Sequence, residues 1–142
     1  MRLIALDYVQ LMFSERRYAS KADETAYISS QIKALARELQ TPVLAAAQLN
    51  RGSENSSDKR PRLSNLKESG ALEQDADVAI FIYRDEYDKR ERSEEPNVAE
   101  IDLAKNRHGP TGTVKMFWDG PLMQFRALEE EYPLGKRMKD EG

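Results

Sequence analysis

Two kinds of patterning predict an α/β fold in which a mainly parallel sheet is finished by a C-terminal antiparallel β-meander. In the first half, short apolar runs of strand length, LIALDY at 3–8 and VLAAAQL at 43–49, are separated by one long helical pattern, the order of a parallel crossover. In the last third, AEIDLAK at 99–105, TVKMFW at 113–118 and QFRAL at 124–128 follow one another with only turns between them, the order of hairpins. The length of 142 residues suits a single domain, here read as 1–128, with 129–142 as a frayed charged tail of low apolar content.

Taken in order, LIALDY reads as a buried parallel strand that ends on Asp7. Residues 14–21 are polar and lead into a helix. Its apolar face is Ile28, Ile32, Leu35, Ala36 and Leu39, its cap is Ser20, and Asp23 and Glu24 favour its first turn. Pro42 is expected to end it. VLAAAQL follows as a second buried strand, ending near Gln48. The stretch 51–70 carries five cations against three acids together with Gly and Ser, and a loop of that length inside a domain is usually functional or mobile. GALEQDA reads as a short helix and VAIFIY, 78–83, as a third buried strand. RDEYDKRERSEEPN is a charged excursion, and WDGP supplies an Asp-Gly turn within the meander. Because the chain opens almost at once in a core strand, it is expected to be the second part of something longer.

Apolar residues are 39% and charged residues 33% of the chain, the balance of a folded domain, and the net charge is −3. That charge excludes a whole-molecule attraction to nucleic acid or anionic lipid, so any such contact must come from a local patch. With no cysteine there is no disulfide framework and no thiolate zinc site, which fits a reducing cytoplasm. No apolar run nears the roughly 18 residues of a membrane span, and the start lacks the zones of a secretion signal. The expectation is a cytoplasmic protein with no membrane part.

Four positions then raise chemistry. Asp7, at a strand end, is either a plain strand exit or a carboxylate that holds the water shell of Mg2+ beside a nucleotide phosphate. Gln48 is either a polar exit from its strand or a donor to a terminal phosphate, since parallel sheets bind ligands outside the carboxyl ends of their strands. Lys105 and Arg107 stand before Gly109, Pro110 and Gly112, on a turn made stiff by the proline. They are either solvated hairpin charges or cations able to reach a neighbour's γ-phosphate. His108 has no second histidine or cysteine with which to share a metal and reads as a solvated turn residue. In the basic loop, Arg51, Lys59, Arg60, Arg62 and Lys67 could touch a phosphate backbone without reading bases, and Gly70 lets backbone N–H groups approach closely.

Taken together and in register, LDYVQLM, AAAQLNR, KRPRLSNLKESGALEQDADVAIFIYRDE and AKNRHGPTGTV resemble the C-terminal ATPase domain of replicative DNA helicases of the DnaB family. The resemblance covers nearly the whole chain. It implies a RecA-like P-loop NTPase fold, a homo-hexameric ring using ATP and Mg2+, and 5′ to 3′ translocation on single-stranded DNA, with primase and a helicase loader as partners of the intact protein. Asp7 falls on the family's Walker B aspartate, directed at Mg2+. Gln48 falls on the glutamine that couples the γ-phosphate to the DNA loops. Lys105 and Arg107 match the pair that enters the adjoining subunit's site. The DNA loop maps to Lys67, Glu68 and Gly70, with an arginine more familiar where Lys67 stands, and Arg16, Arg17 and Lys21 are weaker channel-facing candidates.

Nothing in this sequence reads GxxxxGK[ST], and the strand carrying the family's catalytic glutamate is absent as well. The expectation is therefore a partial RecA-like fold without the P-loop strand, inactive and poorly folded alone. Two other classes stay open: a non-catalytic DNA-binding or ring-assembly module, and a related RecA-like ATPase of recombination or timing function.

Overall fold

The computed structural model describes residues 2–49 and 59–128. Arg51 and the tail 129–142 lie outside the described residues, as do the side chains of Lys67 and Glu68.

The first apolar run forms β1, Ile4–Leu6, and the second forms β2, Val43–Ala45. They pair in parallel, Ile4 with Val43 through Leu6 with Ala45. The ladder is continued by Ala46 N–H donating to the Leu6 carbonyl at 2.9 Å and Val9 N–H donating to the Ala46 carbonyl at 2.9 Å. A single 3-10 turn, Val9–Leu11, follows β1 and buries Val9; the Asp7–Tyr8 peptide bond is cis.

Between these strands runs α1, Lys21–Glu38. Its start is set by sequence as expected: the Ser20 hydroxyl accepts from Asp23 N–H at 3.1 Å, with Asp23 and Glu24 in the first turn. Its end is not made by Pro42. Gln40 takes a left-handed conformation, φ 46°, so that its own N–H reaches the Arg37 carbonyl and Thr41 N–H reaches that of Ala36, the paired bonds that close a helix C-terminus. Of the expected apolar face only Ile28 is buried, while Leu35 and Leu39 are exposed.

The 3-10 segment Leu63–Ser69 leads directly into α2, Gly70–Asp75. This short helix rests on α1, where the Ser29 hydroxyl donates to Asp75 Oδ2 at 2.6 Å and Lys33 donates to Asp77 Oδ2.

The remaining strands, β3 Val78–Tyr83, β4 Val98–Asn106, β5 Gly112–Asp119 and β6 Gln124–Ala127, make one antiparallel sheet in the order β3-β4-β5-β6. The meander was expected from β4 onward; the structure corrects the place of VAIFIY, which belongs to this sheet and is not a third strand of the parallel pair. Nor is it buried on both faces. Ala79, Phe81 and Tyr83 are buried, whereas Val78, Ile80 and Ile82 are about half exposed at 49%, 53% and 55%, because no described element covers the outer face of this edge strand.

The charged excursion after β3 folds into α3, Asp85–Lys89, and a 3-10 turn, Arg90–Arg92. Asp85 anchors it. Tyr83 and Ser93 hydroxyls each donate to its carboxylate at 3.0 Å, and Lys89 lies 2.9 Å away. Burial alone would raise the Asp85 carboxyl, but hydrogen bonds from Lys89, Tyr83 and Ser93 outweigh it and hold it below the ordinary aspartate range. Burial, and then the bond to Asp85, push the Tyr83 hydroxyl up to about 12. On β5, Trp118 has the Arg84 guanidinium 4.7 Å over its ring and Phe125 4.8 Å away.

Candidate nucleotide and nucleic-acid site

Asp7 and Gln48 follow the carboxyl ends of neighbouring parallel strands, β1 and β2, so the fold brings them to one edge. Both are exposed, and neither side chain has a hydrogen-bond or ion-pair partner among the described residues. A residue that sequence reasoning passed over arranges this edge. The Gln10 side chain donates to the Gln48 carbonyl at 2.8 Å and accepts from the Gln48 N–H at 3.0 Å, taking the place of a strand neighbour. The Gln48 backbone is thereby fixed and its own amide left available. A lone exposed carboxylate suits Mg2+, which keeps most of its waters and takes its other ligands from phosphate oxygens. Among the described residues no cluster of three or more His, Asp or Glu forms a fuller metal site.

Lys105 and Arg107 are brought together by a β-bulge. Val78 pairs with Asn106 and Ala79 with Lys105, but Ile80 pairs with Leu103, so Ala104 is an extra residue in β4. Glu100 and Asp102 lie opposite Tyr83 and Phe81 and share their face. Strict alternation would put Ala104 there next and turn Lys105 away. The extra residue shifts the register by one and sends Lys105, and Arg107 two residues on, to the face where α2 lies.

There both cations meet their own chain. Lys105 Nζ donates to the carbonyls of Glu73, at 2.5 Å, and Gln74, at 3.4 Å. Arg107 Nη2 donates to the Gln74 carbonyl at 3.2 Å, and its Nε lies 3.3 Å from Asp77 Oδ1. The last carbonyls of α2 have no partners within the helix and are electronegative, so cations suit them. Asp77 is shared, its other oxygen being taken by Lys33, whose hydrogen bond holds the carboxyl below the ordinary aspartate range. The Arg107 side chain remains 44% exposed.

The turn that carries Arg107 is tied by one side chain. Asn106 donates to the Pro110 carbonyl at 3.1 Å and accepts from His108 N–H at 3.3 Å. A Cβ on Gly109 would stand 2.7 Å from that amide nitrogen, which is why glycine fits this place. His108 itself is exposed, as a solvated turn residue should be.

The basic loop is less uniform than its charge pattern suggests. Arg60 makes a two-pronged contact with Glu100 at 2.8 and 2.9 Å and lies 5.0 Å over the Tyr83 ring, so it serves the sheet. Among the described residues Lys59 meets a distant carboxylate, Asp88, at 4.0 Å. Gly70 opens α2, and among the described residues no atom lies within 4 Å of where a Cβ would stand. Arg16 lies 5.8 Å over Tyr27 and Lys21 pairs with Glu24 at 2.8 Å, leaving Arg17 exposed beside them.

A family model described as "DnaB-like helicase C terminal domain" matches residues 1–127. The chain is 49% identical over 129 residues to a protein of Pasteurella multocida named replicative DNA helicase DnaB, covering 91% of this chain and 27% of the relative. It is 44% identical over 131 residues to the replicative DNA helicase DnaC of Bacillus subtilis, covering 92% of this chain and 29% of the relative. A solved structure described as an ATPase domain superposes with a TM-score of 0.84 at 42% identity, over 89% of this chain and 44% of that one. A DnaB-like replicative helicase solved to show its interactions with primase gives 0.83 at 42% identity, over 89% of this chain and 30% of that one. The chain thus spans less than a third of the length of the Pasteurella and Bacillus relatives.

Proposed function

Because this chain belongs to the DnaB-like helicase C-terminal domain family, with a partial RecA-like fold, we propose that it is the part of a cytoplasmic replicative DNA helicase motor that serves two nucleotide sites at once. Asp7 and Gln48 act on the chain's own site, Asp7 towards Mg2+ and Gln48 towards the terminal phosphate or its attacking water. Lys105 and Arg107 act on the site of the next subunit in a homo-hexamer. Lys59, Lys67, Glu68 and Gly70, with Arg51 and Arg60 as further candidates from the sequence, face single-stranded DNA. Primase and a loader bind the assembled ring.

ATP and Mg2+ supply the energy and the charge neutralisation of phosphoryl transfer. The chain's own contribution is placement. The phosphate loop and the catalytic glutamate are not among these residues, so the chain by itself is read as inactive.

The observation that carries this reading is the state of Arg107. Its guanidinium has two edges, and its contacts with Asp77 and Gln74 use only the edge made by Nε and Nη2. Nη1 has no partner among the described residues, so the end of the fork stays open on a stiff turn, free to grip a phosphate from another subunit. In a full-length helicase carrying this segment, Arg107→Ala is expected to leave ATP affinity near its original value and to cut turnover about 10³- to 10⁵-fold. Mixing in subunits that keep Arg107 but cannot bind ATP should restore part of it. Unchanged turnover in the variant would remove the trans role.

A further inference from the structure

Neither the relatives' names nor the motif roles assigned above give any part to Asp77, which lies in the link between α2 and β3. Its two oxygens are divided between elements. Oδ2 takes the ammonium of Lys33 from the middle of α1, and Oδ1 faces Arg107 Nε at 3.3 Å. The backbone repeats the link, since Arg107 N–H donates to the Asp77 carbonyl at 2.8 Å. One residue therefore fixes both the root and the head of the Arg107 side chain.

A long side chain on a turn loses rotamer freedom when it is held in one place. Where that loss falls affects the rate. If the chain's own contacts order the arginine beforehand, the loss is not charged to the step in which phosphate charge develops. The contacts made here suit that purpose, because they clamp the side edge of the guanidinium and leave its end unclaimed. A contact that closed the end of the fork would do the opposite and hold the arginine away from a phosphate.

We infer that Asp77, itself braced by Lys33, is a positioning residue that aims the outer edge of Arg107 at the neighbouring subunit's triphosphate. This rests on the trans-acting role given to Arg107 above. The Glu73 and Gln74 carbonyls at the end of α2 complete the rest, and Lys105 shares it.

The test is steady-state ATP hydrolysis by a full-length helicase carrying this segment. Asp77 is 47% exposed in its side chain, so Asp77→Asn preserves shape and removes the charge. The expected result is a fall in kcat of about ten- to a hundredfold, the scale of a misplaced catalytic group, with KM for ATP within about twofold of the original. Asp77→Glu should recover part of kcat, and Lys33→Gln, which unbraces Asp77 without touching Arg107, should lower kcat less than Asp77→Asn does. In an Arg107→Ala background Asp77→Asn should have no further effect, since the residue acts through that arginine. Unchanged or increased kcat in Asp77→Asn overturns the inference, and so does an equal further loss in the Arg107→Ala background. If Arg107→Ala alone leaves turnover intact, the trans-finger reading fails first, an outcome distinct from both.

Discussion

At the exits of β1 and β2 the side chains of Asp7 and Gln48 stand without partners among the described residues, and only the Gln48 backbone is fastened, by Gln10. At the end of β4 the reverse holds: Lys105 and Arg107 are seated on α2 and Asp77, and their turn is tied by Asn106. On the proposed reading, the contrast concerns how each group meets its phosphate. Residues serving a nucleotide in their own subunit can be ordered by that nucleotide and its metal. A residue serving another subunit's nucleotide gains from being ordered by its own chain first, since the partner arrives as a rigid body. On the proposed reading, the two ends of the sheet system divide the motor's labour.

The sharpest way to break that contrast is to remove both seated cations, Lys105→Ala with Arg107→Ala. Turnover in the full-length helicase is then expected to fall at least as far as in Arg107→Ala, about 10³-fold or more, while nucleotide affinity, governed by the other end, changes little. Affinity falling in step with turnover would mean that the two ends are not separate.

A smaller effect is expected at Arg60, which the charge pattern groups with DNA contacts and which also grips Glu100 beside the Tyr83 ring. Arg60→Ala should lower stability by about 1 kcal/mol, the modest figure suited to a half-exposed pair, and should change single-stranded DNA affinity less than Lys59→Ala does. The acid limb of stability sharpens this. The Arg60 hydrogen bond holds the Glu100 carboxyl below the ordinary glutamate range, and Asp85 is held low as well. Folded-state values below the unfolded ones mean stabilisation that is complete near neutral pH and fades as pH drops from about 5 through those depressed values. Thermal melts of Arg60→Ala between pH 7 and pH 3 should show a shallower decline, and a parallel decline would sever Arg60 from Glu100.

The smallest effect is expected at Gln10, whose two hydrogen bonds are solvent-exposed. Gln10→Ala should cost about 1 kcal/mol at most in stability, yet let the Gln48 strand exit drift, so that DNA stimulates ATP turnover less than before. An unaltered stimulation ratio would show that Gln48 is held by something other than the Gln10 clasp.

What could be read from the residues was what depends on near neighbours. Ser20 with Asp23 and Glu24 marks a helix start within four positions, and the Asp119-Gly120 turn and the Gly109-Pro110 reversal are equally local. The four motifs in register pointed to the RecA-like family. The missed features all depend on partners far along the chain. The bulge at Ala104 exists only in relation to β3, and the Gln10 clasp joins positions 38 apart. The contacts of Arg60 with Glu100 and Tyr83 likewise join positions far apart in the chain. VAIFIY looked doubly buried because an apolar run records hydrophobicity on both faces without saying what covers each one. A carboxylate after a short helix is commonplace, and Asp77 stands out only through Lys33 and Arg107 on its two oxygens.

The setting of Trp118 has a practical consequence. It is the chain's sole tryptophan, with the Arg84 guanidinium on its ring and Phe125 at its side. Excitation at the red edge of the aromatic absorption band, where indole outlasts phenol, therefore isolates an emission signal from the β5–β6 hairpin. Loosening of that hairpin can be followed optically without a label while events at the β1 and β2 exits stay dark.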